Sequence, residues 1–295
     1  MKNFHIPAHF YALVAMLFWG LSFIWSAYLL RYYQPITVIF IRLVISSSLL
    51  FTILYLFKLQ AKIARKDYWL LILSSIFNPF LYFLCENYGL KYSTPTIAAV
   101  VIATIPVFSP VIAFLAIKEK LSFLNLVGIF VSFIGVVIML VTRDLSLGTD
   151  IRGVLFLFGA VLSALFFSVL LKKLTSKYSA ITLVAWQNLA GIFLFLPLFL
   201  VFEVKSALTV PLSTGIISSF LLLSVLASSV AFVFFAYSIK LIGVSKSNIY
   251  SNLIPVFTAF FSYFLISESI TFQKIAGIFL VIGGVYLSER TKRRI

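Results

Sequence analysis

Two ionisable side chains sit deep within apolar stretches of this sequence, Arg42 in ITVIFIRLVISS and Glu86 in LYFLCENYGL. A charge inside an apolar helix is costly and marks a functional site with a partner to be named. Arg42 lies about six residues from the start of its stretch and Glu86 about four from the end of its own. At about 1.5 Å per residue, both fall within roughly 10 Å of the same membrane surface. Together they could touch a zwitterionic or charged molecule, or titrate. They could equally form a fixed ion pair, or stay apart, with Glu86 interfacial and Arg42 snorkelling. By pattern, Glu86 is the one buried carboxylate; Asp67, Glu119, Asp144, Asp150, Glu203, Glu268 and Glu289 fall in or beside connections.

Prolines supply a second kind of chemistry. Pro106 and Pro110, and later Pro255, each remove a backbone donor and free a carbonyl one turn earlier, permitting a bend or local unwinding. Thr104 and Ser109 flank the first; Asn248, Ser251, Asn252 and Thr258 flank the second. Broken helices at corresponding places in two halves point to a binding site in transporter folds, and packing kinks are the alternative. Asn78-Pro79 is a further break, either hinge or kink. Among the aromatics, Trp19, Phe23, Tyr82, Trp186, Tyr237 and Tyr250 lie away from segment ends. There an indole or phenol needs a partner, so they are candidates to line a path for flat or apolar molecules, against a reading as packing or interfacial belt.

The medium these residues require follows from composition. Of 295 residues, 62% are hydrophobic and 11% charged, with a mean hydropathy of +1.14; soluble domains run at about 45–50% and about 25%. The chain belongs in lipid, which excludes a soluble enzyme, a nucleic-acid binder or a disordered scaffold. Its net charge of +15 therefore reports topology and not nucleic acid. One cysteine, Cys85, excludes an internal disulfide and a cysteine metal cluster. His5 and His9 are expected to precede the first span, leaving no imidazole for catalysis, metal binding or proton relay. No GxSxG, paired acidic motif or GxxxxGK[ST] loop occurs, which argues against an intramembrane enzyme, a bound cofactor or ATP as energy source.

Ten apolar segments are predicted, near 10–30, 36–57, 68–90, 95–117, 122–142, 152–172, 180–202, 213–239, 245–266 and 271–288. Continuous apolarity without a period of two makes them helices and not barrel strands. Alternate connections then hold sixteen Lys and Arg on the side of both termini, against six on the other: Arg31, Lys91, Arg143, Arg152, Lys205 and Lys274. Basic residues collect in cytoplasmic loops, so both termini are expected in the cytoplasm.

An internal repeat organises the segments. Ile105-Pro106-Val107-Phe108 recurs as Ile254-Pro255-Val256-Phe257, an offset of 149 residues. The same offset pairs Tyr88 with Tyr237, Lys91 with Lys240, Glu119 with Glu268, Gly128 with Gly277 and Gly135 with Gly284. Upstream the offset is 145, setting Trp19-Gly20 opposite Ala164-Leu165 and Arg42 opposite Gln187. Five segments per half is odd, so the halves must enter the membrane in opposite directions. Such inverted repeats are the architecture of many secondary transporters, with substrate near the midplane between halves. Gly128, Gly135, Gly277 and Gly284 recur every seven residues on one helix face and let backbones approach closely. Spans five and ten are expected to pack tightly, against each other or as a face of a weak homodimer.

These residues carry a family resemblance. Trp19-Gly20, Arg42, Tyr88-x-x-Lys91, Pro106-Val107, Glu119 and the Gly128/Gly135 helix resemble the EamA-type transporters of the drug/metabolite transporter superfamily, across nearly the whole chain. The resemblance implies an all-α membrane protein of ten helices built as two inverted five-helix repeats, residues 1–143 and 144–295, in the cytoplasmic membrane. It implies an exporter of small metabolites such as amino acids, with lipid and a small-molecule substrate as partners. Trp19, Phe23, Tyr82, Glu86, Thr104, Tyr237, Asn248 and Asn252 are the candidates to bind substrate. Arg42, Pro106, Pro255 and the four glycines are structural or gating candidates. A receptor or scaffold that transports nothing is the alternative, and a channel lacks its ring of like polar groups.

The basic asymmetry makes a topological prediction. Reporter fusions after Arg294 and within residues 58–67 should read cytoplasmic, and fusions between Arg143 and Arg152 external. Reversed labels would overturn the ten-span arrangement.

Overall fold

The computed structural model describes residues 8–59, 62–118, 122–140, 150–266 and 271–289. Glu119, Lys120, Arg143, Asp144, Glu268, His5 and the basic cluster after Glu289 lie outside the described residues. Every regular element among those described is helical. In chain order they are α1 (Ala8–Leu29), α2 (Pro35–Leu56), α3 (Arg65–Lys91), α4 (Pro95–Ile117), α5 (Phe123–Leu140), α6 (Ile151–Thr175), α7 (Ala180–Ala207) and α8 (Thr214–Ile242). They continue as α9 over 244–266 and α10 (Phe272–Glu289).

Seven helices among the described residues are long and apolar enough to cross a bilayer, where the sequence predicts ten. Shorter apolar stretches, Phe123–Gly135 and Ile275–Leu287, account for α5 and α10. α9 breaks instead into a six-residue helix, a tight 3-10 turn over Tyr250–Leu253 and a second helix from Ile254. α1 begins earlier than predicted, so His9 belongs to its first turn and not to a preceding segment; its Nδ1 lies 2.7 Å from the Tyr250 hydroxyl.

The starts are written in the side chains. Thr94, Ser179 and Ser213 each accept a hydrogen bond from the backbone N–H three residues on, and Asp150 from Arg152, satisfying donors that a first helical turn leaves orphaned. Pro35 and Pro95 occupy first turns, where a missing N–H costs nothing. Gly243, at φ 92°, is the joint between α8 and α9, a backbone conformation that side chains resist.

Packing is inverted relative to a soluble protein. Large apolar side chains face outward, among them Phe130, Phe193 and Phe279 at 62, 67 and 72% exposure, whereas the interior holds Arg42, Glu86, Asn188, Asn248 and many serines. An apolar surface this extensive needs lipid to cover it. Two carboxylates expected in connections are also buried, correcting the sequence reading that singled out Glu86. Glu203, near the end of α7, accepts from the backbone N–H of Ile36 (3.2 Å) and Thr37 (2.6 Å) and from the Thr37 hydroxyl (2.8 Å), so it caps α2. Asp67, at the start of α3, accepts from Lys177 Nζ and the Tyr178 hydroxyl, both at 2.7 Å. The hydrogen bond to Asp67 holds the Lys177 ammonium and the Tyr178 phenol above their ordinary pKa values. Sequence pattern places these carboxylates near segment ends but cannot show that another helix's terminus comes to meet them.

α5 and α10 pack along their length, and all four repeated glycines lie in the seam. A Cβ on Gly135 would meet the Gly277 carbonyl oxygen at 2.7 Å, and one on Gly284 the Gly128 carbonyl oxygen at 2.6 Å. Gly283, one residue away, faces open space. Gly284→Val should therefore lower stability by about 1–3 kcal/mol, the usual cost of overpacking, read as a lower melting temperature in detergent. Gly283→Ala should be neutral or slightly stabilising. Equal effects at both positions would remove the close-approach argument.

Candidate functional site

Three helices lose their regular hydrogen bonding around one internal space. In α3 the ladder widens to a π-turn over Ile76–Leu81, and Asn78 leaves helical geometry altogether (φ −146°, ψ 121°) just before Pro79. In α4 the first helix stops at Ile102 and a second starts at Ile105, with Pro106 in its first turn. In α9 the 3-10 turn ends at Leu253 and the helix restarts at Ile254, with Pro255 in the equivalent place. A fourth helix, α8, carries a π-helical stretch over Leu223–Ala231. Non-helical backbone within a bilayer is tolerated where protein covers it or a cavity receives it, and wide turns gather at functional sites.

That cavity has a volume of about 30 Å³, room for roughly two waters. Helices from both ends of the chain contribute: Trp19 from α1, Asn78 and Tyr82 from α3, Ile102 and Ile105 from α4, Ala164, Phe167 and Ser168 from α6, Phe232 and Phe235 from α8, and Asn248, Ser251 and Ile254 from α9. The Trp19 ring lies 5.0 Å from both Phe232 and Phe235, and its indole N–H donates to the Ala227 carbonyl in the wide turn of α8 (3.3 Å). Ala164, opposite Trp19 in the repeat, lines the same space. Gly20 is required beside Trp19, since a Cβ there would meet Phe257 Cβ at 2.6 Å, and Thr258 donates to the Gly20 carbonyl (3.1 Å).

Polar groups enter at two places. Asn248 donates to Ser109 (2.7 Å) and lies 3.5 Å from Ser168 Oγ, joining α9 to α4 and α6. Tyr82 donates to Glu86 Oε1 (2.9 Å), and Glu86 Oε2 lies 3.9 Å from Arg42 Nη1. Arg42 is 1% exposed. Its Nε donates to Ser228 (2.8 Å) and its guanidinium sits 4.0 Å from the Phe83 ring centre, while Nη1 has no hydrogen-bond partner among the described residues. Asn188 of α7 donates to Ser46 and to the Ser228 carbonyl, and Ser46 contacts Ser229 at 2.7 Å. One polar cluster thus ties α2, α7 and α8 together beside the cavity. Gln187, opposite Arg42 in the repeat, likewise donates to a serine of the other half, Ser74 (2.8 Å).

Of the residues the sequence singles out, Trp19, Tyr82 and Asn248 meet at the cavity, with Glu86 one hydrogen bond behind Tyr82. Phe23 is buried in the core outside the lining. Thr104 turns back to the Val101 carbonyl. Tyr237 stacks on Tyr11 at 5.6 Å, and Asn252 donates to Ser132 of α5. Ser251 and Asn78, named in the sequence beside the proline breaks, also line it, whereas Phe167, Ser168, Phe232 and Phe235 were missed. Serines and phenylalanines are so frequent here that type alone cannot separate cavity from core.

Comparisons with known proteins agree with this architecture. The model of the EamA-like transporter family matches residues 6–141 and again 151–290. Similar proteins include an "uncharacterized transporter" of Archaeoglobus fulgidus, 26% identical over 93% of this chain and 96% of its own length. Another from the same organism is 29% identical over 95% and 96%. The "uncharacterized transporter YetK" of Bacillus subtilis is 28% identical over 86% and 78%. A solved crystal structure with 16% identity matches with a TM-score of 0.75, covering 94% of this chain and 98% of that one, a likeness of fold.

The ion pair makes a quantitative prediction. Removing one partner of a buried pair strands the other, at about 3–5 kcal/mol. Arg42→Gln and Glu86→Gln should each lower the melting temperature in detergent, and the double variant should recover part of the loss. Strictly additive losses would show that the two charges are not coupled.

Proposed function

Because this chain belongs to the EamA-like transporter family, we propose that it is a secondary transporter exporting small metabolites such as amino acids across the cytoplasmic membrane. In this reading ten helices cross the bilayer as two inverted halves, residues 1–143 and 144–295, with both termini in the cytoplasm. The family model's two matches and the offset-149 repeat support the division. The sixteen-to-six distribution of basic residues supports the orientation.

The observation that carries the proposal is the cavity itself: six helices of both halves converge on it, and the breaks before Pro106 and Pro255 fall beside it at repeat-equivalent positions. Such a geometry suits alternating access, in which one half rocks against the other around a fixed site. Trp19, Phe232 and Phe235 offer flat apolar faces, suited to a side chain or ring. Asn78, Tyr82, Asn248 and Ser251 offer donors and acceptors at its edges, which suits a molecule apolar at one end and polar at the other. Glu86, reached through Tyr82, is the charged group nearest the cavity by hydrogen bonding. Arg42 and the α5–α10 glycines hold the frame.

The test compares extracellular metabolites between deletion and overexpression strains, followed by counterflow of the responding metabolite in proteoliposomes. Overexpression should raise at least one small metabolite outside the cell, and Trp19→Ala should cut counterflow at least tenfold at unchanged membrane abundance. No metabolite change together with no counterflow of any amino acid would favour a receptor or scaffold and overturn transport.

A further inference from the structure

The two buried carboxylates near helix ends hold the two ends of α7 to the first half of the chain, Glu203 to the start of α2 and Asp67, on α3, to the residues just before α7. α2 and α7 pack against each other. At one end, Glu203 of α7 accepts three hydrogen bonds from the first turn of α2, through Ile36 and Thr37. At the other, Asp67 at the start of α3 receives Lys177 and Tyr178, which immediately precede α7, and the Tyr178 hydroxyl also accepts from the Ala64 backbone (3.1 Å). Tyr178 and Glu203 are 25 positions apart along α7, about 37 Å at 1.5 Å per residue, so the clasps lie on opposite faces of the bilayer. Each joins the first half of the chain to the second. Between them, Asn188, Ser46, Ser228 and Arg42 tie α2, α7 and α8 together.

α7, tied to α2 at mid-length and clasped at one end to α2 and at the other to α3, has one simple way to move against the first half. Spreading one end about the central tie must break the clasp there and press the other closed. Solvent decides which contacts can yield. Near a membrane face, water can take over the freed donors and the carboxylate, whereas at mid-depth a broken hydrogen bond stays unsatisfied. The central cluster therefore acts as pivot, and the ends as places where opening is cheap.

We infer that Glu203 and Asp67 are reciprocal latches, each sealing the central cavity from its own membrane face and opening in the half-cycle that exposes the cavity on that face. The inference rests on the transport reading above. It adds which contacts must break, and in what alternation, to a site whose lining contains neither carboxylate.

The test needs no substrate. In a Cys85→Ser background, Ser251→Cys reports the cavity through its rate of reaction with a membrane-impermeant cationic thiosulfonate, applied to sealed right-side-out and inside-out vesicles. Glu203→Gln should raise labelling at least threefold from the face on which Glu203 lies and lower it from the opposite face; Asp67→Asn should do the reverse. Thr37→Val and Tyr178→Phe, which remove single contacts and spare the carboxylates, should shift labelling in the same respective directions by a smaller factor, even where the carboxylate variants fail to fold. Rates unchanged by all four substitutions, or shifted toward the same face at both latches, would overturn the latch while leaving the cavity intact. Inertness of the cysteine in every background, detergent-permeabilised vesicles included, would overturn the water-filled cavity and the latch with it.

Discussion

Lipid offers no hydrogen bonds, and that constraint shapes nearly every feature of this protein. Backbone groups in the hydrocarbon must find partners within the chain, which helices provide and irregular structure does not. A helix can then be broken only where other protein atoms or a cavity receive the loosened groups. The irregular stretches at Asn78, before Pro106 and over Tyr250–Leu253 accordingly border a single space, and the wide turn of α8 runs directly into Phe232 on its wall, while the π-turn Phe199–Glu203 of α7 lies apart from it. Ser163 illustrates the repair: its hydroxyl donates to the Phe77 carbonyl beside the break in α3 (2.5 Å).

Arg42 is the most demanding side chain under the same rule. A guanidinium carries five donors and cannot shed its charge. Glu86 supplies the countercharge, Ser228 an acceptor and Phe83 a π face, yet one nitrogen has no hydrogen-bond partner among the described residues. Ser228 reaches Arg42 from the π-helical stretch of α8, which makes that irregularity part of the arginine's solvation. Coupling across the halves follows, because Glu86 comes from the same half as Arg42 and Ser228 from the other. The repeat keeps the form of the solution while relaxing its charge: Gln187 in the other half needs only the Ser74 hydroxyl in the same role.

Much of this was legible in the sequence, for physical reasons. Apolar runs mark the helices because lipid leaves the backbone no other way to satisfy its hydrogen bonds. The glycine period marks the α5–α10 seam because only a missing Cβ permits such approach. Depth counting brings Arg42 to Glu86 because a straight helix converts residue number into height. What the sequence withholds is rotation and partnership. Tyr237 and Asn252 have the chemistry of cavity residues but face Tyr11 and Ser132, while Phe232 and Phe235, ordinary by type, form the cavity wall. Glu203 and Asp67 look like loop carboxylates until another helix's first turn, or its preceding residues, arrive beside them. His9 reads as lying before the first span, whereas α1 starts early enough to include it and to bring its ring to Tyr250.

Two kinds of seam join the halves, and their materials differ. Between α5 and α10, backbone meets backbone through glycine, with contacts so short that sliding would require every one to be lost together; a dry, close-packed interface of this sort is rigid. Around α2, α7 and α8, the join is made of hydroxyls, amides and carboxylates, whose hydrogen bonds are directional and can be exchanged for water at the ends. The two seams therefore differ in what it takes to part them. The glycine seam would have to lose all its contacts together, whereas the polar seam could exchange the hydrogen bonds at one end for water while those at the other stay closed.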